Sequence, residues 1–185
     1  MTKNKKLLTP EELEKRNAAF HKLSKRQQRL AIAEDVLAQL RAKKYQARPG
    51  TYAESDVVDV IDDNTGGNFD LQRCLLTKSP ECNVCALGAS FVSLSRLGDK
   101  VDWSLSQAPH SSLEPIFGKM QVQLIEAAFE GWEPDRDEEG NWITDPYSGA
   151  TEATYNFCNK YELDANKRLA AIFKNIIRND GTFVP

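Results

Sequence analysis

The sequence has no run of about 18 apolar residues, the length that a membrane-spanning helix requires. Its first twelve residues are basic, and they lack the apolar stretch that a secretory signal peptide contains. We therefore expect a cytoplasmic protein without a membrane partner. Its four cysteines are then predicted to be reduced thiols.

Catalytic signatures are also scarce, and the chain has only two histidines, His21 and His110. It has no glycine-rich phosphate loop, no helical histidine pair of the kind that binds a metal ion, and no serine-nucleophile elbow. A nucleophilic Cys85 would need one of the two histidines as its base, and the sequence places neither beside it. These absences favour a protein that is not an enzyme and carries no cofactor.

Local signals for helices are frequent in the first part of the chain. Segments 9–12 (Thr-Pro-Glu-Glu) and 24–27 (Ser-Lys-Arg-Gln) have the pattern of capping boxes, which predicts a helix after each cap. The second helix is predicted to be amphipathic and to reach about Lys43. Its apolar face, at intervals of three and four residues, consists of Leu30, Ala33, Val36, Leu37 and Leu40.

Three further helices are predicted in the second half. One opens at residues 112–115 and ends at Gly131, because glycine suits a left-handed helix end. Its predicted buried face consists of Phe117, Met120, Leu124, Ile125 and Ala128. Another helix covers about residues 151–161, and the last follows Asp164 and stops at residues 179–181. Residues 182–185 are predicted to dock as an extended tail.

Few stretches favour strands. Pro49-Gly50 marks a turn between two short extended pieces. Ser55 is predicted to cap a short helix, and Trp103 to anchor a loop over residues 99–109. We predict a mainly α fold, a single compact helical domain of about six helices with at most a small β-hairpin. Residues 1–22 would form a basic N-terminal arm with a short helix, and residues 23–185 the helical globular domain.

The stretch from Ser79 to Gly98 is predicted to be the central buried helix. Ser79 would cap it, followed by proline at the first helical position and glutamate at the positive end of the helix dipole. This assignment places Cys82 and Cys85 in the first turn. Gly98 is predicted to end the helix in a left-handed conformation.

The Cys82-x-x-Cys85 pair allows three interpretations. We favour the first, in which the cysteines are small buried apolar residues. In the second, the pair binds zinc with ligands drawn from Cys74, Cys158 and His110, although the usual second close pair is missing. In the third, the helix start lowers the pKa of a thiol and supports redox chemistry, but no strong strand precedes Ser79.

Charge is distributed unevenly along the chain. Residues 1–44 hold 12 Lys and Arg against 5 Asp and Glu, a local charge of +7, whereas the remainder carries −10. Such polarity is typical of a chain whose basic part contacts an acidic partner or its own acidic surface. The candidate binding residues of the basic part are Lys22, Lys25, Arg26, Arg29, Arg41, Lys43 and Lys44.

An acidic, turn-rich segment follows at residues 133–149. Asp135, Asp137 and Glu139, followed by a glycine, resemble the first half of an EF-hand calcium loop. Pro146 occupies the position where that loop needs a bidentate glutamate. We therefore interpret the three carboxylates as candidate binding residues of an exposed acidic turn, with no calcium site.

Three stretches, at residues 30–40, 82–89 and 175–183, together resemble a group of small, functionally uncharacterised bacterial, bacteriophage and prophage proteins with Cys-Ala-Leu-Gly-Ala at a helix start. The resemblance implies an accessory protein that acts inside the bacterial host cell.

Our first hypothesis is a non-enzymatic protein that binds a host or phage protein through the basic arm or the acidic segment at residues 133–145. One alternative is nucleic-acid binding through the basic N-terminal helices. The other is a zinc or thiol-redox protein centred on Cys82 and Cys85.

Overall fold

A computed structural model of the chain describes residues 9–55, 71–98, 108–143, 149–161 and 164–185. The predicted helix after Ser55 and the predicted loop around Trp103 lie outside these residues. Within them are eight helices: α1 Pro10–His21, α2 Lys25–Arg41, α3 Leu71–Thr77, α4 Ala86–Leu97, α5 Ala108–Phe117, α6 Lys119–Glu130, α7 Glu152–Asn159 and α8 Ala165–Arg178. Three short strands accompany them: β1 Tyr45–Ala47, β2 Ala53–Glu54 and β3 Cys82–Val84. The predicted mainly α fold is confirmed.

Three helix ends predicted from local residues, at Thr9, Ser24 and Gly131, are confirmed. Thr9 and Ser24 each form a complete capping box with the residue three positions later. Gly131 ends α6 in the left-handed conformation, with φ of 75°. Thr151 caps α7 and Asp164 caps α8, since each side chain accepts a hydrogen bond from a backbone amide of the first turn.

The predicted start of the central helix is wrong. Cys82 lies in strand β3, and α4 begins only at Ala86 with Cys85 as its N-cap. Backbone pairing of β3 with two other strands outweighs the helix-start signal of the preceding residues. Ser79 has φ of 46° and caps no helix, and Gly98 has φ of −171°, which is extended backbone rather than a left-handed end.

The three strands form one sheet in the order β1-β3-β2. Strand β3 pairs parallel with β1, with Tyr45 opposite Cys82, and antiparallel with β2, with Ala53 opposite Val84. The extended pieces on either side of Pro49-Gly50 therefore exist, but they do not form a hairpin with each other. Both need β3 as the central strand, because each has its backbone partner there.

Helix α4 lies at the centre of the hydrophobic core. All its residues from Ala86 to Ser95 are buried. Its serines fit this apolar setting, since the hydroxyls of Ser90 and Ser95 donate to carbonyl oxygens four residues earlier. The surrounding core includes Phe20, Ile32, Val36, Leu113, Ile125, Leu169, Ile172 and Phe173. Because Phe20 belongs to α1, that helix packs against the same core as the rest of the chain.

The single helix predicted from residue 112 to Gly131 consists of two helices. Gly118 separates α5 from α6 and has φ of 84°, a conformation that glycine tolerates and other residues rarely adopt. The break resets the helical phase, so Val122, Ile125 and Phe129 face the core while Met120 is exposed. The predicted burial of Met120 is therefore wrong. In the described part of the chain, no helix is both long and apolar enough to cross a membrane.

Candidate functional site

Cys85 lies under a stretch of backbone that crosses the start of α4. Its backbone amide donates to the carbonyl oxygen of Thr51 at 2.7 Å, and its thiol accepts from the amide of Gly88 at 3.4 Å. A Cβ added at Gly88 would lie 1.3 Å from the carbonyl oxygen of Tyr52. Only glycine therefore lets residues 50–52, which we call the crossing segment, approach the helix so closely.

The thiol of Cys85 is not activated by its position at a helix start. Burial raises its pKa to about 12, and the opposing hydrogen bond from the Gly88 amide is a smaller effect. The nearby carboxylates of Glu130 and Glu126 raise the pKa further. At neutral pH the group is consequently a buried thiol, whereas the redox interpretation needs a thiolate.

The other candidate metal ligands lie in different elements. Cys82 is buried in β3, and Cys158 is buried in α7, where desolvation raises the pKa of its thiol. The side chain of Cys74 lies outside the described part of the structure. Among the side chains that the structure describes, no three from His, Cys, Asp or Glu lie close enough together to hold a metal ion. The zinc site stays an untested prediction.

A polar cluster of Tyr52, His110 and Glu126 lies beside the crossing segment. Glu126 is largely buried. One of its carboxylate oxygens accepts from the Tyr52 hydroxyl at 3.1 Å, and the other lies 3.1 Å from His110 Nε2. The tyrosine and histidine rings meet edge to face, with centroids 6.2 Å apart. Burial and the neighbouring carboxylate raise the pKa of Tyr52 to about 12. This cluster can orient the imidazole and hold the tyrosine as a hydrogen-bond donor.

Of this cluster, the sequence predicted only His110, as a possible base for a cysteine, and neither Tyr52 nor Glu126. One signal was present, because Glu126 interrupts the apolar face of α6 between Ile125 and Phe129. A carboxylate on such a face needs a polar partner in the folded protein. The sequence could not show which residues supply it.

Glu130, one turn after Glu126, holds the crossing segment from the other side. Its carboxylate accepts from the backbone amide of Gly50 at 2.9 Å. Burial raises the pKa of Glu130, and the hydrogen bond from Gly50 lowers it by less. Two carboxylates of α6 thus anchor the crossing segment over the N-terminus of α4.

Two of the candidate basic residues make contacts that stabilise the fold. Arg26 pairs with Asp180, and Arg29 donates to the carbonyl oxygens of Gly181 and Ile116 at 2.6 and 2.9 Å. The other five fall at the two ends of α2, which are about 24 Å apart at the rise of an α-helix. Lys22 and Lys25 lie at one end and Arg41, Lys43 and Lys44 at the other. They do not form one continuous stripe.

The acidic segment contains an ordered turn, residues 135–143, which we call the acidic turn. Arg136 and Trp142 form an antiparallel bridge, and the arginine guanidinium stacks 3.7 Å from the centroid of the Trp142 ring. Both carboxylate oxygens of Asp137 accept hydrogen bonds from Asn141, at 2.7 and 3.2 Å. The Asn141 backbone amide also holds the pKa of Asp137 below its ordinary value. Asp137 therefore shapes the turn, while Asp135 and Glu139 are exposed.

Comparison with known proteins adds no relative: no protein-family model, curated protein or solved structure matches this chain.

Proposed function

We propose that the protein is a non-enzymatic accessory protein that binds a protein partner through the acidic turn. The observation that supports this proposal is that the turn is ordered by its own contacts while its charged rim is exposed. A surface that is already ordered loses less conformational entropy on binding than a flexible loop does. The exposed carboxylates available to a partner belong to Asp135, Glu138 and Glu139.

Apolar side chains accompany the carboxylates on the same segment. Trp132 lies just before the turn with 41% of its surface exposed, and Ile143 lies at its end with 46% exposed. Tryptophan is among the residues that contribute most to binding energy at protein interfaces. We infer that the partner offers a basic rim around an apolar patch, complementary to this surface.

The resemblance to bacterial, bacteriophage and prophage proteins supports the bacterial host cell as the place of action. Nucleic-acid binding remains the alternative, and it would depend on the five basic residues at the two ends of α2. Because these residues are separated, we expect any such binding to be weak and strongly dependent on salt.

Site-specific photo-crosslinking in a bacterial lysate, with and without nuclease treatment, tests the proposal. A photoreactive residue replaces Glu138 in one variant and the exposed Glu34 of α2 in the control. We expect a discrete crosslinked protein from position 138 only, and its loss when Trp132→Ala is added. Crosslinking that is equal at both positions, or unaffected by Trp132→Ala, contradicts binding through the acidic turn. A product that disappears only on nuclease treatment favours the nucleic-acid alternative.

A further inference from the structure

We propose that the groove holding residues 182–185 is a peptide-binding groove for an extended segment of a partner protein with a phenylalanine anchor. In the structure, this groove is occupied by the chain's own residues 182–185, which we call the cis segment. The proposal concerns a surface distinct from the acidic turn, and it does not depend on the proposed function. It rests on how side chains from three helices contact the cis segment.

Two side-chain amides recognise the backbone of the cis segment. Gln121 of α6 accepts from the Phe183 amide at 2.7 Å and donates to the Phe183 carbonyl at 3.2 Å. Asn175 of α8 accepts from the Val184 amide at 2.9 Å and donates to the Val184 carbonyl at 2.7 Å. Each amide thus pairs with one residue as the edge of a strand would. Recognition of this kind satisfies the backbone N–H and C=O groups of any extended peptide.

One of the two amides is itself held in place. Asn175 is buried, and its side-chain oxygen also accepts from Asn179 Nδ2 at 2.8 Å. Because the backbone amide of Val184 can only donate, the Asn175 atom that faces it is the oxygen, and the nitrogen is left to donate to the Val184 carbonyl. A groove whose polar groups are oriented in advance binds with a smaller loss of entropy.

One side chain of the cis segment provides the specificity. Phe183 is only 1% exposed and packs edge to face against Phe157 of α7, with ring centroids 5.2 Å apart. Val184, the next residue, is 52% exposed. The groove therefore selects an aromatic anchor and is tolerant at the following position. A partner segment with a phenylalanine in extended backbone has the chemistry that the groove recognises.

Asp180 and Gly181 lie between the C-cap of α8 and the cis segment. Asp180 and Gly181 both have positive φ, at 57° and 91°. The contact of Asp180 with Arg26 is solvent-exposed, so salt screens it. Gly181 itself is buried and its carbonyl oxygen accepts from Arg29 Nε at 2.6 Å, so release of the cis segment breaks this hydrogen bond. Because α8 ends at Arg178, the cis segment can leave the groove without unwinding that helix.

The test uses the full chain with Phe183→Ala, which weakens the cis occupant. The probe is a fluorescein-labelled peptide of sequence Gly-Thr-Phe-Val-Pro, followed by fluorescence anisotropy. We expect saturable binding to Phe183→Ala. We also expect binding about tenfold or more weaker for the peptide with alanine in place of phenylalanine, because burial of a phenylalanine ring contributes at least that factor. Adding Gln121→Ala should weaken binding again, and the unaltered chain should bind less because its groove is occupied.

Equal binding of the two peptides, or no binding to a folded Phe183→Ala chain, overturns the proposal. If Phe183→Ala does not fold, Phe183→Leu replaces it and the melting temperature becomes the readout. The phenylalanine peptide should then raise the melting temperature of Phe183→Leu more than the alanine peptide does. An equal effect of the two peptides, or no effect, also overturns the proposal.

Discussion

Gly88→Ala gives the sharpest test of the crossing segment, because helix propensity and tertiary structure predict opposite outcomes. Gly88 lies in the first turn of α4, where alanine is favoured over glycine by about 1 kcal/mol. In the folded chain, however, the new Cβ would lie 1.3 Å from the Tyr52 carbonyl oxygen, whereas such distances in proteins stay above 3.0 Å. Propensity alone predicts stabilisation, and the structure predicts a loss of stability.

The size of that loss follows from the contacts that must move. The crossing segment has to retreat by about 1.7 Å, the difference between these two distances. This movement breaks the 2.7 Å hydrogen bond from the Cys85 amide to Thr51 and disturbs the contact between Gly50 and Glu130. Overpacking costs about 1–3 kcal/mol and each lost hydrogen bond about 1 kcal/mol. We expect the free energy of unfolding to fall by about 2–5 kcal/mol.

Urea denaturation of the wild type and Gly88→Ala measures this difference. Gly140→Ala is the matched control, because a Cβ there would meet nothing within 4 Å and only the φ of 83° is unfavourable. We expect that control to lose about 1–2 kcal/mol. A Gly88→Ala protein as stable as the wild type would refute the close approach of the crossing segment to α4.

Four further predictions concern the same region. Ellman's reagent should react slowly with Cys85 at pH 7 and quickly in urea, since the thiol is buried with a pKa of about 12. Cys85→Ser should lower the free energy of unfolding, measured by urea titration, by about 1–3 kcal/mol. Glu126→Ala should destabilise the fold by about 1–3 kcal/mol, because Tyr52 loses its hydrogen-bond acceptor and His110 loses its neighbouring carboxylate. An unchanged free energy of unfolding in urea would contradict this. Because the folded-state pKa of Glu130 is raised, its contribution to stability is present at low pH and is lost as pH rises through that pKa. Glu130→Gln should therefore flatten the pH dependence of the melting temperature above pH 4, and an unchanged slope would contradict this.

The parts of this protein that could be predicted are those governed by neighbouring residues. The capping boxes at Thr9 and Ser24 and the glycine stop at Gly131 operate within one helical turn, so the local sequence contains all the groups involved. The docking of residues 182–185 was also predicted correctly, and the structure shows that Phe183 is the buried residue of this tail. Their recognition by Gln121 and Asn175 was not, because those side chains come from other helices.

The sequence by itself determined the helical character of the chain, through apolar periodicity and helix caps that act over three or four residues. Only the tertiary structure decided that Cys82 lies in a strand, because strand β3 depends on backbone partners in β1 and β2, about 30 to 40 residues earlier in the chain. It also decided the chemistry around Cys85. Burial under the crossing segment outweighs the helix start, and the polar cluster of Tyr52, His110 and Glu126 forms only when three separate elements meet.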